Sequence, residues 1–357
     1  MKKRMFVVFG LIATLSTGLL AGCNSAAAPA PATTKTAAAA GTTKAAAGTT
    51  AAAGTTTKAA ASSVKWPGSS VQLLVPSKAG GVTDIYTRNL QNYLQTSTKG
   101  SFATVNYDTE AVAYENLRSA KADGTTLMFQ HSTVICKYLT GAINYNPSKE
   151  FRVIGSVADM GSQAIICGPK APYSTWEEFV KYAKENPGKV SAAIATNGTT
   201  HFIFGQVQKN CDIKLNLVEC SAEADKLTNV AGGIIDVANC SLGNAQEYEK
   251  AGKLKVLGIL GSGKAEPNYP QWKPITDVIW SSHLFVFAPA KMDDATAEAI
   301  SAQLKGVTED KTFSDACAKI GGKSEYLSVK DSQKNFDDTM KELGAVAESL
   351  GISKNKP

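Results

Sequence analysis

A chain of 357 residues is long enough for one large or two medium domains with a substantial core. Its formal charge of +6 misleads as an average, because Lys2, Lys3 and Arg4 open the chain and Lys35, Lys44 and Lys58 lie in the low-complexity stretch that follows. From Val64 onward the chain is about neutral, which removes the basic footprint expected of a nucleic-acid binder.

The first elements are addresses rather than fold. The basic start leads into an apolar run from Met5 to Leu20, too short for a comfortable membrane span, and Leu20-Ala21-Gly22-Cys23 closes it as a bacterial lipobox does. The expectation is a signal peptide over 1–22, lipid on Cys23 and an extracytoplasmic, membrane-anchored protein. Residues 24–63 are Ala, Thr, Gly, Lys and Pro in loose repeats that cannot build a core. As a flexible tether this segment would reach roughly 35 Å.

The folded region opens on Val71-Gln72-Leu73-Leu74-Val75-Pro76-Ser77-Lys78-Ala79-Gly80-Gly81-Val82-Thr83-Asp84. A short β-branched run predicts a buried parallel strand, and Ile85, Leu90 and Leu94 mark one face of the helix that follows. Paired glycines between them leave backbone amides uncovered at a helix start, where the macrodipole favours an anion; they also suit a plain tight connection.

Trp66-Pro67 followed by this stretch closely resembles the opening of the substrate-binding proteins of tripartite tricarboxylate transporters, the Bug or TctC family. Pro76, Ala79, Gly80, Gly81 and Asp84 keep their places, while Ser77 replaces the usual Phe. The resemblance continues through Ala122-Asp123-Gly124, Asn197-Gly198-Thr199-Thr200-His201, Gly232-Gly233-Ile234-Ile235-Asp236, Ala251-Gly252-Lys253-Leu254 and Phe287-Ala288-Pro289-Ala290. It implies an α/β, two-domain periplasmic-binding-protein-like (Venus flytrap) fold, hinged and closing its cleft around an organic acid. Carried over residue by residue, Ser77, Gly80, Gly81 and Thr83 would contact ligand from the first domain, and Thr199 and Thr200 from the second.

Strands at 103–107 and 127–130, with a helix over 111–122, complete a βαβαβ alternation, for which ligands bind beyond the carboxyl ends of the strands. His131-Ser132-Thr133 follows the third strand end, which makes Ser132 a candidate contact. Extended runs at 151–156 and 163–167 lead to a helix capped near Ser174-Thr175. A strand over 190–195 then breaks into the polar loop before Phe202 and repeats the opening design. Strands over 215–218, 234–239 and 255–260 alternate with helices over 223–232 and 245–251. His283 to Pro289 reads as the return crossing, followed by helices over 294–309 and 330–349. The expected boundaries are 64–164 and 282–357 for the first domain and 165–281 for the second.

Several residues carry two readings. Thr199 and Thr200 donate to a carboxylate or cap their helix; His201 meets ligand or supports the domain boundary; Asp84 steadies the loop or meets a hydroxyl or amine of the ligand. Asp108 and Glu110 stand where the family more often has glycines. Facing the cleft they would favour a monocarboxylate or amino acid over citrate; facing solvent they would only cap a helix. Gly258-Ile259-Leu260-Gly261-Ser262-Gly263-Lys264-Ala265 approximates a phosphate-binding loop, but it lacks the Ser or Thr after Lys264 and runs into Pro267. The six cysteines after Cys23 show no C-x-x-C or zinc spacing and read as buried thiols, with a Cys220–Cys240 bridge left open.

The functional expectation is a monomeric solute-binding lipoprotein that hands a small organic carboxylate to membrane permease subunits, without metal or cofactor. The alternatives are a binding module feeding a membrane sensor and, further off, an exported enzyme. No G-x-S-x-G or H-E-x-x-H occurs, and three histidines leave little for acid–base chemistry.

Overall fold

The computed structural model describes residues 64–357; the lipobox with Cys23, the apolar start and the tether lie outside the described residues. In chain order the elements are β1 (Val71–Val75), α1 (Val82–Thr98), β2 (Phe102–Asn106), α2 (Glu110–Ser119), β3 (Thr126–Gln130), α3 (Thr133–Leu139), α4 (Pro147–Glu150), β4 (Phe151–Asp159), β5 (Gln163–Cys167), α5 (Trp176–Glu185), β6 (Ser191–Ile194) and α6 (Thr199–Asn210). The chain continues through β7 (Asn216–Glu219), α7 (Glu223–Ala231), β8 (Val237–Ser241), α8 (Leu242–Lys250), β9 (Lys255–Gly261), β10 (Pro274–Ile279), β11 (His283–Pro289), α9 (Asp294–Glu309), α10 (Lys311–Lys319), β12 (Lys323–Leu327) and α11 (Val329–Ser349).

Two six-stranded sheets result, ordered β12-β4-β11-β3-β1-β2 and β10-β9-β5-β8-β6-β7. Each has a parallel trio, β2-β1-β3 and β7-β6-β8, whose strands are joined by helices as parallel pairing requires. Beside the third strand of each trio lies an antiparallel one that has just crossed from the other lobe: β11 pairs β3, and β5 pairs β8. The chain passes between lobes at residues 160–162 and 280–282.

Strand alternation divides the first lobe's core. Leu73, Leu127, Phe129, Val286 and Ala288 pack on one face against α1 and α9, while Leu74, Met128, Phe285 and Phe287 face the other way. That second layer does not stop at the lobe boundary. It runs through Phe336 and Met340 of α11 to Phe202, Ile203 and Val207 of α6 in the second lobe. Gly205 lets α6 approach closely, since a Cβ there would lie 2.6 Å from Leu350 Cδ1 just past α11.

The six described cysteines are buried and free, so the Cys220–Cys240 alternative is not realised. The glycine-rich stretch from Gly258 continues β9 and then turns without entering a helix, in keeping with the reading against a phosphate loop. No helix among the described residues is long and apolar enough to cross a membrane.

Where the lobes touch, glycine is a steric requirement. A Cβ on Gly161, at φ +68°, would come within 1.9 Å of the Gly321 carbonyl oxygen, and one on Gly243 of α8 would lie 2.5 Å from the Lys319 carbonyl of α10. Gly243→Ala should therefore hold α8 off α10 and separate the lobes. Small-angle scattering should show a larger radius of gyration than the parent; equal radii would show that the contact does not limit closure.

Candidate functional site

The carboxyl ends of β1, β2 and β3 in one lobe, and of β6, β7 and β8 in the other, each lead directly into a helix start. None of those six helices, α1, α2, α3, α6, α7 and α8, has a side-chain cap. The other five do, from Asn146, Thr175, Asp293, Asp310 and Ser328. First-turn amides have no intrahelical acceptor, so an uncapped start offers its N–H groups to water or to an anion.

In the first lobe Gly81 is the N-cap of α1, and Gly80 before it adopts φ +81°. Asp84 holds this loop in shape. Its side chain, in a residue 2% exposed, accepts from the Gly80 amide at 2.8 Å, Arg88 Nε at 2.9 Å and Asn106 Nδ2 at 2.9 Å. Asn106 also donates to the Ser77 carbonyl at 3.1 Å and accepts from Arg88 at 2.9 Å. Burial pushes the Asp84 pKa up, but the Arg88, Gly80 and Asn106 hydrogen bonds and the Arg88 charge outweigh it and hold the carboxyl below its ordinary value. Asp84 is thus occupied within the protein and shapes the loop. Ser77 differs: its buried hydroxyl has no partner among the described residues.

Thr83 is buried in the first turn of α1. Ser132 sits at the start of α3 with its hydroxyl 3.3 Å from that of Ser282, and it lines a hollow of about 440 Å³ with Gln206, Trp280, His283 and Asn335. Ser132 therefore faces the 280–282 crossing. Its neighbour His131 has its pKa pushed down to about 4 by burial and lies 3.2 Å from Thr133 Oγ1.

In the second lobe Gly198 caps α6 without a side-chain bond. Thr200 accepts from the Ala195 amide at 2.6 Å, which ties the loop to α6 and leaves the helix start uncapped, whereas Thr199, half-buried at the first helical position, makes no side-chain hydrogen bond among the described residues. His201 Nδ1 accepts from the Asn197 amide at 3.3 Å, which places the ring proton on Nε2. Burial lowers its pKa against the raising effect of Glu219, so the ring is neutral at neutral pH.

A residue of α3 links the start of α2 to the α6 loop. Lys137 pairs with Glu110 at 2.9 Å and donates to the Thr196 carbonyl at 3.4 Å, crossing from one lobe to the other. Glu110 is thereby offset, and Asp108 is exposed. Sequence reasoning missed this bridge and the Asp84–Arg88–Asn106 clamp. The spacing of Asp84 and Arg88 was a usable signal, but Asn106 enters only because β1 and β2 pair with Val75 opposite it.

A model of the tripartite tricarboxylate transporter family receptor matches residues 108–352. The chain belongs to that family. It is 24% identical over 292 residues to a Cupriavidus necator protein described as "UPF0065 protein in gbd 5'region", covering 80% of this chain and 88% of that one. Among solved structures it is similar to an R. palustris protein with adipate (19% identity, 81% and 99% coverage, TM-score 0.73). It is also similar to MatC from Rhodopseudomonas palustris with bound malate (16% identity, 79% and 99% coverage, TM-score 0.71). The fold is the two-domain α/β fold of periplasmic binding proteins, as the resemblance implied.

Removing the Asp84 carboxylate leaves Arg88, Asn106 and the Gly80 amide without their shared acceptor. Asp84→Ala is expected to destabilise the protein by about 3 kcal/mol near neutral pH. Because the folded pKa lies below the unfolded one, the contribution is complete above the ordinary carboxylate pKa and lost as pH falls through the folded value. The Tm gap between parent and variant should narrow in acid; a gap independent of pH would show that the charge of Asp84 is not what holds the loop.

Proposed function

We propose that this protein is an extracytoplasmic solute-binding receptor that captures a small organic carboxylate between its lobes and presents it to the permease subunits of a tripartite tricarboxylate-type transporter. Two uncapped, glycine-started helices, α1 and α6, carry the reading, with the unpartnered Ser77 hydroxyl beside the first and Thr199 at the second. Backbone amides at helix starts complement a carboxylate without the desolvation penalty of an arginine. The adipate and malate bound by two proteins of the same fold support this ligand class. Ser77, Gly80, Gly81, Thr83 and Thr199 form the binding surface, Thr200 and His201 hold the α6 loop, Asp84 holds the α1 loop, and Ser132 acts at the crossing. Lipid on Cys23 would keep the monomer near its permease, and the function is capture rather than catalysis.

Carboxylate binding should raise Tm, since ligand at one hundred times its dissociation constant stabilises a fold by about 2.7 kcal/mol. Calorimetry on variants locates the site. Gly81→Ala puts a Cβ 3.3 Å from the Lys78 carbonyl and crowds the amides, and Thr199→Ala removes a donor; both should weaken binding about tenfold or more, and His201→Ala less. Loss of binding in His201→Ala alone would move the site away from these helix starts.

A further inference from the structure

Two charged side chains are buried among the described residues, Asp84 and Lys226, and they are compensated very differently. Asp84 has an arginine and two further donors. Lys226, 5% exposed on α7, has a single hydrogen bond among the described residues, from Nζ to Asn239 Oδ1 at 2.8 Å. An ammonium carries three donors, so two lack a protein acceptor. The acid three residues before it makes no hydrogen bond to Lys226: Glu223 Oε1 accepts from the Ser241 amide at 3.1 Å, the Ser241 hydroxyl at 2.7 Å and Asn244 Nδ2 at 2.7 Å, and the acid acts on the ammonium by its charge alone. Burial pulls the Lys226 pKa below the ordinary lysine value despite the nearby Glu223 charge. A methionine of similar length would fill this space without burying a charge.

The position of this ammonium is specific. Asn239 is the middle residue of β8, and its Nδ2 donates to Gln163 Oε1 on β5, the first residue after the 160–162 crossing. β6 pairs with β8 at Ala192 and Val237, and Asn239 follows two residues further along β8 toward its carboxyl end. The carboxyl ends of strands are where α/β sheets admit ligands.

We propose that Lys226 is a specificity-determining residue that pairs with a second carboxylate of the ligand. Resting on the receptor reading above, the first carboxylate occupies the α1 and α6 helix starts, and the second draws the Lys226 ammonium away from Asn239 or shares it. A dicarboxylate then gives the Lys226 ammonium a charged acceptor, and a monocarboxylate of equal length does not.

Calorimetry with succinate, adipate, butyrate and hexanoate tests this on the parent, Lys226→Met and Asn239→Asp. The aspartate replaces a neutral partner by an anionic one of the same shape and neutralises Lys226 in place, so it reports even if Lys226→Met fails to fold. The parent should prefer the dicarboxylate of each pair by at least about tenfold, and either variant should reduce that preference to within about threefold while leaving monocarboxylate affinity unchanged. A parent that binds dicarboxylates with a preference unchanged in the variants, or that prefers the monocarboxylates, overturns the role of Lys226 alone. A parent that binds none of the four overturns the carboxylate-receptor reading beneath it.

Discussion

The constraint on which this molecule depends is the unmet hydrogen-bonding capacity of helix starts. Five helices are closed by Asn, Thr, Asp or Ser side chains, while the six that begin at the carboxyl ends of the parallel strands are not. An uncapped start is tolerable where water or a ligand reaches it, so the cleft must stay open to solvent or be filled. The family assignment and the unpartnered Ser77 hydroxyl agree with that requirement.

Around those helix starts the protein separates rigidity from movement. Asp84, Arg88 and Asn106 tie the α1 loop to the neighbouring strand, so its amides keep a fixed direction. The α3, α6 and α11 layer joins the lobes through apolar contacts beside the crossings, where small rotations preserve packing. The Gly161–Gly321 and Gly243–Lys319 approaches set a backbone-to-backbone limit to how near the lobes come. Closure therefore rests on shape at the contact and on ligand at the helix starts.

Charge in the cleft changes meaning once partners are known. From sequence, Asp108 and Glu110 either face the cleft and favour a singly charged or zwitterionic ligand, or face solvent and only cap a helix. In the structure Lys137 offsets Glu110, and the buried charge whose hydrogen-bond partner is neutral is the cation Lys226. Nothing in the sequence marks Lys226, because its surroundings are assembled from α7, β8 and β5.

Local sequence pattern determined most of the element order. β1, β5, β11 and α9 are legible because a β-branched run or an apolar helical face is decided by neighbours a few residues away. The cleft loops were legible for the same reason, since Gly80-Gly81 and Gly198 must break strand into helix. Elements whose identity depends on distant packing were not: α3, α10, β10 and β12 were missed, and β8 begins at Val237 rather than Ile234, which follows a left-handed Gly233 and is 73% exposed. The division of labour among the site residues was likewise beyond local pattern. Sequence alone determined that two strand-loop-helix platforms exist and which residues they carry. Only the tertiary structure decided that Asp84 and Thr200 serve the protein, that Ser77 and Thr199 remain unengaged among the described residues, and that Lys226 is buried on a neutral hydrogen-bond partner, because hydrogen bonds and desolvation depend on what lies across a sheet.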